Sequence, residues 1–491
     1  MDVQPASASA SLRPFEALPL LPGARGLGGH MPLIRDDRMA FLRLGAESPH
    51  PLVRVSAPLG RVALVTTPAL LHELLVVRHA EYVKSAMMRF TIAPIAGEGL
   101  FTSSGALWKR QRKLMAPLFQ PSALHGYADA MLACTRREVD GWGDGQRVDL
   151  ARATTRITMD IAARTLFDAD TSAEAEALSD AITVVLDWGS EAAGGALSLA
   201  HVVPSFLLAR VADGLPAGLA RQARSWSSWL ERPQFYPGAS GQRLRRAVTV
   251  LDAYVARMIA ERRAQGSTRD DLLSRLLAAR DDDGAAMSDT QVRDEVLTLF
   301  VAGHETTATG LAWSIDLLCR RPEWYARVEA EVDALGHAPT LDDLPRLETV
   351  LRVFKEALRL YPPAYFFGRT TWQASELGGY HVPRFGNVLV SPWVIHHNPQ
   401  VWADPERFDP DRFLPEAEVG RHRCAWIPFG FGPRVCIGYH FALMEAQLVL
   451  AEMLQRYHFD ALEPSRPDPS TTLRPAGTMP VRVTRRPGSA G

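Results

Sequence analysis

The stretch FGFGPRVCIG, residues 429–438, sets Cys436 among glycines at the head of an apolar-periodic run. Gly430, Gly432 and Gly438 let the backbone bend where other residues resist, so amide groups come close to whatever lies beside the sulfur. A thiol at a helix start meets free N–H groups and the positive end of the helix dipole, which favour the thiolate. A thiolate is a nucleophile or a metal ligand; the competing reading is a buried structural cysteine. A second cluster is AGHETT, residues 302–307, inside an apolar helical run. Thr298, Ala302, Glu305, Thr306 and Thr309 recur three or four apart, a small polar stripe that something polar must face. Thr306 can bond back to the carbonyl of Ala302 and loosen the helical ladder beside Gly303. The competing reading is a hydroxyl satisfied by its own helix, with Glu305 at the surface. In KEALRLYPP, Glu356 and Arg359 stand at i and i+3. Alone, such a pair is most often a surface ion pair worth under ~1 kcal/mol.

These residues need long helices to hold them. A helix is predicted from Ser288, where Gln291 completes a capping box, to Arg320-Arg321-Pro322. A second spans 346–360 and is ended by Pro362-Pro363, and a third starts near Gly438 and runs through FALMEAQLVLAEMLQRY. Helical periodicity dominates 125–330, while Val-rich segments punctuated by Pro and Gly near 51–66, 365–392 and 472–486 read as short strands. The fold class is mainly α with small β-sheets. Residues 1–30, the stretch YPGASG at 236–241 and the last few residues read as loosely ordered.

The chain has 491 residues, 47% hydrophobic and 22% charged, enough to bury a large core. No low-complexity linker divides it, so residues 1–491 are read as one domain. Cys134, Cys319, Cys424 and Cys436 show no paired spacing, and the N-terminus lacks the basic start and apolar core of a signal peptide, which points to a reducing cytoplasm. No apolar run reaches the ~18 to 20 residues of a membrane span; the richest, LTLFVAG, is stopped by His304 and Glu305. No membrane anchor is expected. A net charge of −1 argues against nucleic-acid binding through bulk charge. A dinucleotide loop fails because Val435 stands where its third glycine belongs, and a zinc-protease motif fails because Ala308 replaces its second histidine.

Phe429, Gly432, Arg434, Cys436 and Gly438 fit FxxGxRxCxG, which resembles the haem-ligand loop of the cytochrome P-450 superfamily. The resemblance implies the cytochrome P-450 fold, with haem between a long distal helix and a proximal helix. In that family a cysteine thiolate is the proximal ligand of haem iron. By resemblance that ligand is Cys436, Arg434 pairs a haem propionate, Phe429 packs on the ligand side of the ring, and Gly438 starts the helix beneath it. The AGHETT segment is similar to the family's oxygen-activation motif, so Ala302 would lie against the haem and Glu305 with Thr306 would relay protons. Burial is expected to raise the pKa of Glu305. Arg407, in PERFDPDRF, would complete with Glu356 and Arg359 the family's structural Glu-Arg-Arg cluster. Trp108 and Arg112 resemble the family's WxxxR, and Arg369 takes the place of another propionate-binding arginine. His396 and His397 read as loop or strand-end residues and not as iron ligands.

The implied activity is that of a soluble bacterial-type haem-thiolate monooxygenase, hydroxylating or epoxidising a small hydrophobic substrate with one atom of O2. The implied cofactor is haem b. The stretch after Cys436 is too short for a fused flavin reductase. Electrons from NAD(P)H are therefore expected through a ferredoxin or flavodoxin type donor and its reductase. Lys109, Arg110, Arg112 and Lys113 form a basic run that suits an acidic donor; its alternative is a solvated helix face. Leu299, Phe366 and Phe367 are expected to line the substrate pocket, against the alternative that they are simply core. A peroxide-driven or isomerising haem-thiolate enzyme and a non-enzymatic haem sensor remain as rival readings. The first needs no Glu305-Thr306 relay, and the second needs an output module.

Overall fold

The structure is a computed structural model, and it describes residues 12–58, 60–168, 174–192, 196–212, 215–230, 238–265, 271–280, 284 and 286–487. At its centre runs the helix Asp289–Cys319, 31 residues and so ~46 Å long. Ser288 and Gln291 form the expected capping box at its start. Residues 307–318 are all buried, and the polar ones among them are small or paired: Ser314 donates to Gly310 O, and Asp316 pairs with Arg320. The helix Leu150–Phe167 packs along it, and Phe167 stacks on Phe300 with centroids 4.7 Å apart. Gly310 makes room for the helix Glu348–Leu360: a Cβ there would lie 2.7 Å from the Phe354 ring. Below lies the helix Tyr439–Arg456, which starts after Gly438 as expected.

A five-stranded sheet flanks this helical core in the order Leu52–Val55, Val62–Val65, Asn387–Val390, Phe367–Thr371, Tyr82–Lys84. All pairs are antiparallel except Val62–Val65 with Asn387–Val390. The register sets Lys84 directly opposite Arg369. A three-stranded sheet joins Arg147–Asp149, Pro480–Arg485 and Tyr457–Ala461. A hairpin near the C-terminus pairs Pro467–Pro469 with Leu473–Pro475.

The N-terminal segment differs from its expected looseness. From residue 12 onward it is packed: Phe15, Leu18 and Leu21 are buried, and His30 accepts from Ser56 N through Nδ1 at 2.9 Å. The segment bridges to Arg54 on the edge strand of the five-stranded sheet and to Tyr380, and Phe15 and Leu18 join an apolar cluster with Leu52 and Val65. Residues 1–11 and 488–491 lie outside the described residues. Of YPGASG, the first two residues also lie outside, and the helix Gly238–Gln265 begins at the third.

Candidate active site

The cysteine loop is held by backbone bonds. Cys436 N donates to Phe429 O at 2.9 Å and Val435 N to Gly432 O at 3.0 Å. Gly432 adopts φ +75°, and a Cβ there would sit 2.2 Å from Leu75 O, so no other residue fits. Phe429 packs edge-on against Tyr439 at 4.8 Å and Trp426 at 6.0 Å. Cys436 is exposed by surface area, yet its thiol is pushed up by burial. Both hold for a sulfur that lines an internal cleft. The Gly438 N–H and the Arg112 guanidinium oppose the burial but do not outweigh it. A metal ion bound at the sulfur would add the positive charge that favours the thiolate.

Around this loop four cations gather. Arg112 Nη1 donates to Val435 O at 2.8 Å, and Arg434 Nη1 to Ser103 O at 3.3 Å. Trp108 lies beneath both, its ring 4.4 Å from Arg434 and 5.9 Å from Arg112. Arg369 bonds Gly368 O at 3.1 Å and covers Phe367 at 4.7 Å. Lys84, which the sequence did not single out, donates to the carbonyls of Leu100 and Phe101. Burial and the neighbouring Arg434 push Arg369 down to about 10, and burial, then Arg434 and Arg369, hold Lys84 well below its ordinary value. Among the described residues none of these four has a carboxylate within ion-pair distance. Like charges opposed across a sheet and crowded in a dry site are unfavourable unless an anion sits among them. Haem fits this arrangement: the Cys436 thiol could serve as a ligand of its iron, and three guanidinium groups would suit its two propionates.

On the central helix Ala302 is exposed and its neighbours Val301, Gly303, Glu305 and Thr306 are only partly buried, so the helix is open there. Thr306 Oγ1 donates to Ala302 O at 2.6 Å, the back-bond anticipated from the sequence. Glu305 turns elsewhere. Its Oε1 accepts from Thr472 Oγ1 at 2.7 Å and lies 4.0 Å from Arg474 Nη1. Burial raises its pKa above the ordinary range, against the pull of Thr472 and Arg474. The acid and the alcohol are thus neighbours in sequence but are bonded to different partners. Upstream on the same helix Asp294 accepts from Glu98 N at 2.8 Å and Glu295 from Leu100 N at 2.9 Å, clamping the loop that carries Ser103. Glu295 is pushed up to about 8 by burial.

The structural cluster needs one correction. Arg359 and Glu356 form a fully buried bidentate pair at 2.7 and 2.8 Å, and Arg359 also donates to the carbonyls of His396, Pro405 and Arg407. Arg407 contributes only that carbonyl. Its inward-facing carbonyl leaves the side chain 68% exposed, 3.9 Å from Asp409. The second guanidinium of the cluster is that of Arg412, 12% exposed and 3.5 Å from Glu356 Oε1. The chain carries Pro-x-Arg-Phe twice, at 405–408 and 410–413, and the second copy was the signal. His396 is not in a loop or at a strand end but closes the short helix Pro392–His396, where it is buried and satisfied by Arg359 O and Ile427 N.

The basic run divides. Lys109 and Lys113 are exposed, Arg112 turns inward, and Arg110 is half-buried. The proposed pocket residues also separate: Leu299 is 5% exposed within the core, while Phe366 is 41% exposed against Tyr365. No described helix is long and apolar enough to cross a membrane.

The family model described as Cytochrome P450 matches residues 19–210 and 220–482. Cyclooctatin synthase of Streptomyces melanosporofaciens is 35% identical over 475 residues, 95% of each chain. Pentalenene oxygenase of Streptomyces avermitilis is 35% identical over 80% of this chain and 79% of its own. The crystal structure of the cytochrome P450DA heme domain superposes with a TM-score of 0.78 at 27% identity, covering 97% of this chain and 98% of that one.

Proposed function

The chain belongs to the cytochrome P450 family of monooxygenases, and from that premise we propose that Cys436 is the iron ligand of a haem whose propionates are held by Arg112, Arg369 and Arg434. The observation that carries this reading is the set of guanidinium groups gathered without a carboxylate partner around a sulfur that lines a cleft. Such a haem supplies activated oxygen from O2 and two electrons. The protein's own work is to orient, to keep water out and to move protons. Trp108 keeps two of the arginines in place from below, and Phe429 with Gly432 fixes the loop that presents the sulfur. Ala302 leaves room beside the cleft. Thr306 and Glu305 serve as alcohol and acid of the proton relay, the acid kept protonatable by its burial.

The substrate we propose is hydrophobic, since Phe366 and Phe367 offer apolar surface beside the sheet. Relatives named pentalenene oxygenase and cyclooctat-9-en-7-ol 5-monooxygenase make terpenoids the first class to try. The electron donor is a separate acidic protein docking at Lys109 and Lys113, and the whole chain works as one domain. The test is a terpenoid and fatty-acid screen by the spin-state shift of the haem spectrum, followed by product analysis with a ferredoxin and its reductase. Binding with product formation for a terpenoid is expected. A spin shift only with polar ligands contradicts the substrate class.

A further inference from the structure

The C-terminal hairpin is anchored from several directions. Arg38 Nη1 and Tyr365 Oη both donate to the carbonyls of Pro469 and Ser470, at 2.6 to 3.0 Å. Leu473 N donates to Pro363 O at 3.0 Å, and Thr471 Oγ1 donates to Leu186 O at 2.6 Å. Its tip and second strand carry two polar groups to the central helix. Thr472, buried, donates to Glu305 Oε1 at 2.7 Å. Arg474 is aimed by two acids: Asp468, its cross-strand partner in the hairpin, at 3.3 Å, and Asp187 on the helix Ala175–Ala192 at 2.6 Å. This leaves Arg474 Nη1 4.0 Å from Glu305 Oε1. The second oxygen of Glu305 is buried and has no hydrogen-bond partner among the described residues.

We propose that this hairpin sets the charge and orientation of Glu305: Thr472 holds one carboxyl oxygen turned away from Thr306, and Arg474 supplies the positive charge that lets the carboxyl ionise in a dry site. The two are positioning residues; neither needs to touch substrate or haem. A buried carboxyl without a partner stays protonated and cannot release and rebind protons near neutral pH. The groups around Glu305 fix the sign of each change. Thr472 and Arg474 favour the ionised form, while burial, Asp187 and Asp468 oppose it. Losing Arg474 also frees Asp187 and Asp468 from their counter-charge, so it should act more strongly than losing Thr472.

This inference rests on Glu305 being the acid of the relay, and infrared spectroscopy separates the two claims. The carbonyl stretch of the protonated carboxyl is followed against pH in the haem-loaded protein and assigned by its loss in Glu305→Gln. Arg474→Gln should move the midpoint alkaline by at least ~1 pH unit, the ordinary effect of one near counter-charge. Thr472→Val should move it less in the same direction, and Arg474→Lys should restore most of the shift. An unchanged midpoint in both Arg474→Gln and Thr472→Val overturns the proposal. A shifted midpoint supports it whatever the turnover does. If the infrared midpoint moves but the pH profile of product per NAD(P)H stays put, the fault lies in the relay role given to Glu305.

Discussion

On the cysteine side, Glu356 and Arg359 close on each other within one helix turn, both completely buried. On the distal side, Glu305 takes its hydrogen bond from Thr472, 167 residues away, and its other oxygen has no hydrogen-bond partner among the described residues. The first region is stiff because its charges are paired locally and sealed by backbone carbonyls. The second holds charges and neutral acids that burial has displaced from their ordinary pKa values, among them Glu295, His304 and Glu305. Burial displaces groups on both sides, Glu356 and His396 included, so what separates the two regions is that Glu356 has its partner three residues away while Glu305 depends on a distant hairpin.

The comparison breaks most visibly at Arg359. Replacing it by alanine strands a buried carboxylate, so a loss of ~3 to 5 kcal/mol is expected in denaturant unfolding, with loss of haem. Arg407→Ala should stay within ~0.5 kcal/mol, because the main-chain carbonyl does the work there. Equal losses from the two would restore Arg407 to the cluster in place of Arg412.

On the distal side the expected signature is pH dependence. His304 is buried with its pKa lowered to about 4. The unfolded chain takes up that proton near pH 6.5 and the folded protein only near 4, so the stability it allows is complete above about 6.5 and falls as pH drops toward 4. The cost reaches roughly 3 kcal/mol at most. In His304→Asn, urea melts across that window should lose this part of the slope. An unaltered slope would mean the folded protein can charge this site.

Thr306→Ala tests the relay without touching the cysteine side. Product per NAD(P)H should fall about tenfold, with peroxide rising in its place, while haem content and unfolding midpoint change little. Unchanged coupling would remove Thr306 from proton delivery. The smallest effect belongs to the surface: Lys109→Glu with Lys113→Glu should slow reduction by an acidic ferredoxin a few-fold at low salt and hardly at all at high salt. A loss independent of salt would place the docking face elsewhere.

Much of this was legible in sequence because it depends on short spacing. The capping box at Ser288, the back-bond from Thr306 to Ala302, the stop of the helix at Leu360 and the Cys436 loop are all contacts within a few residues. What sequence did not reveal arrives from far along the chain. Thr472 and Arg474 look like ordinary hairpin residues until the fold sets them against Glu305, and Lys84 looks like a strand end until it pairs opposite Arg369. Arg407 and Arg412 sit in near-identical tetrapeptides, and only the direction of the intervening backbone decides which side chain points inward. The packed segment from residue 12 reads as loop in sequence because its buried positions, Phe15, Leu18 and Leu21, are interrupted by Pro14, Pro19 and Pro22.

The central claim is the bond between the Cys436 sulfur and haem iron, and the carbon monoxide complex of the reduced protein reads it directly. The wild-type protein should show the long-wavelength Soret band that thiolate ligation produces, and Cys436→Ser should lose it while keeping haem bound through Arg112, Arg369 and Arg434. An identical Soret band in the serine variant would contradict the account.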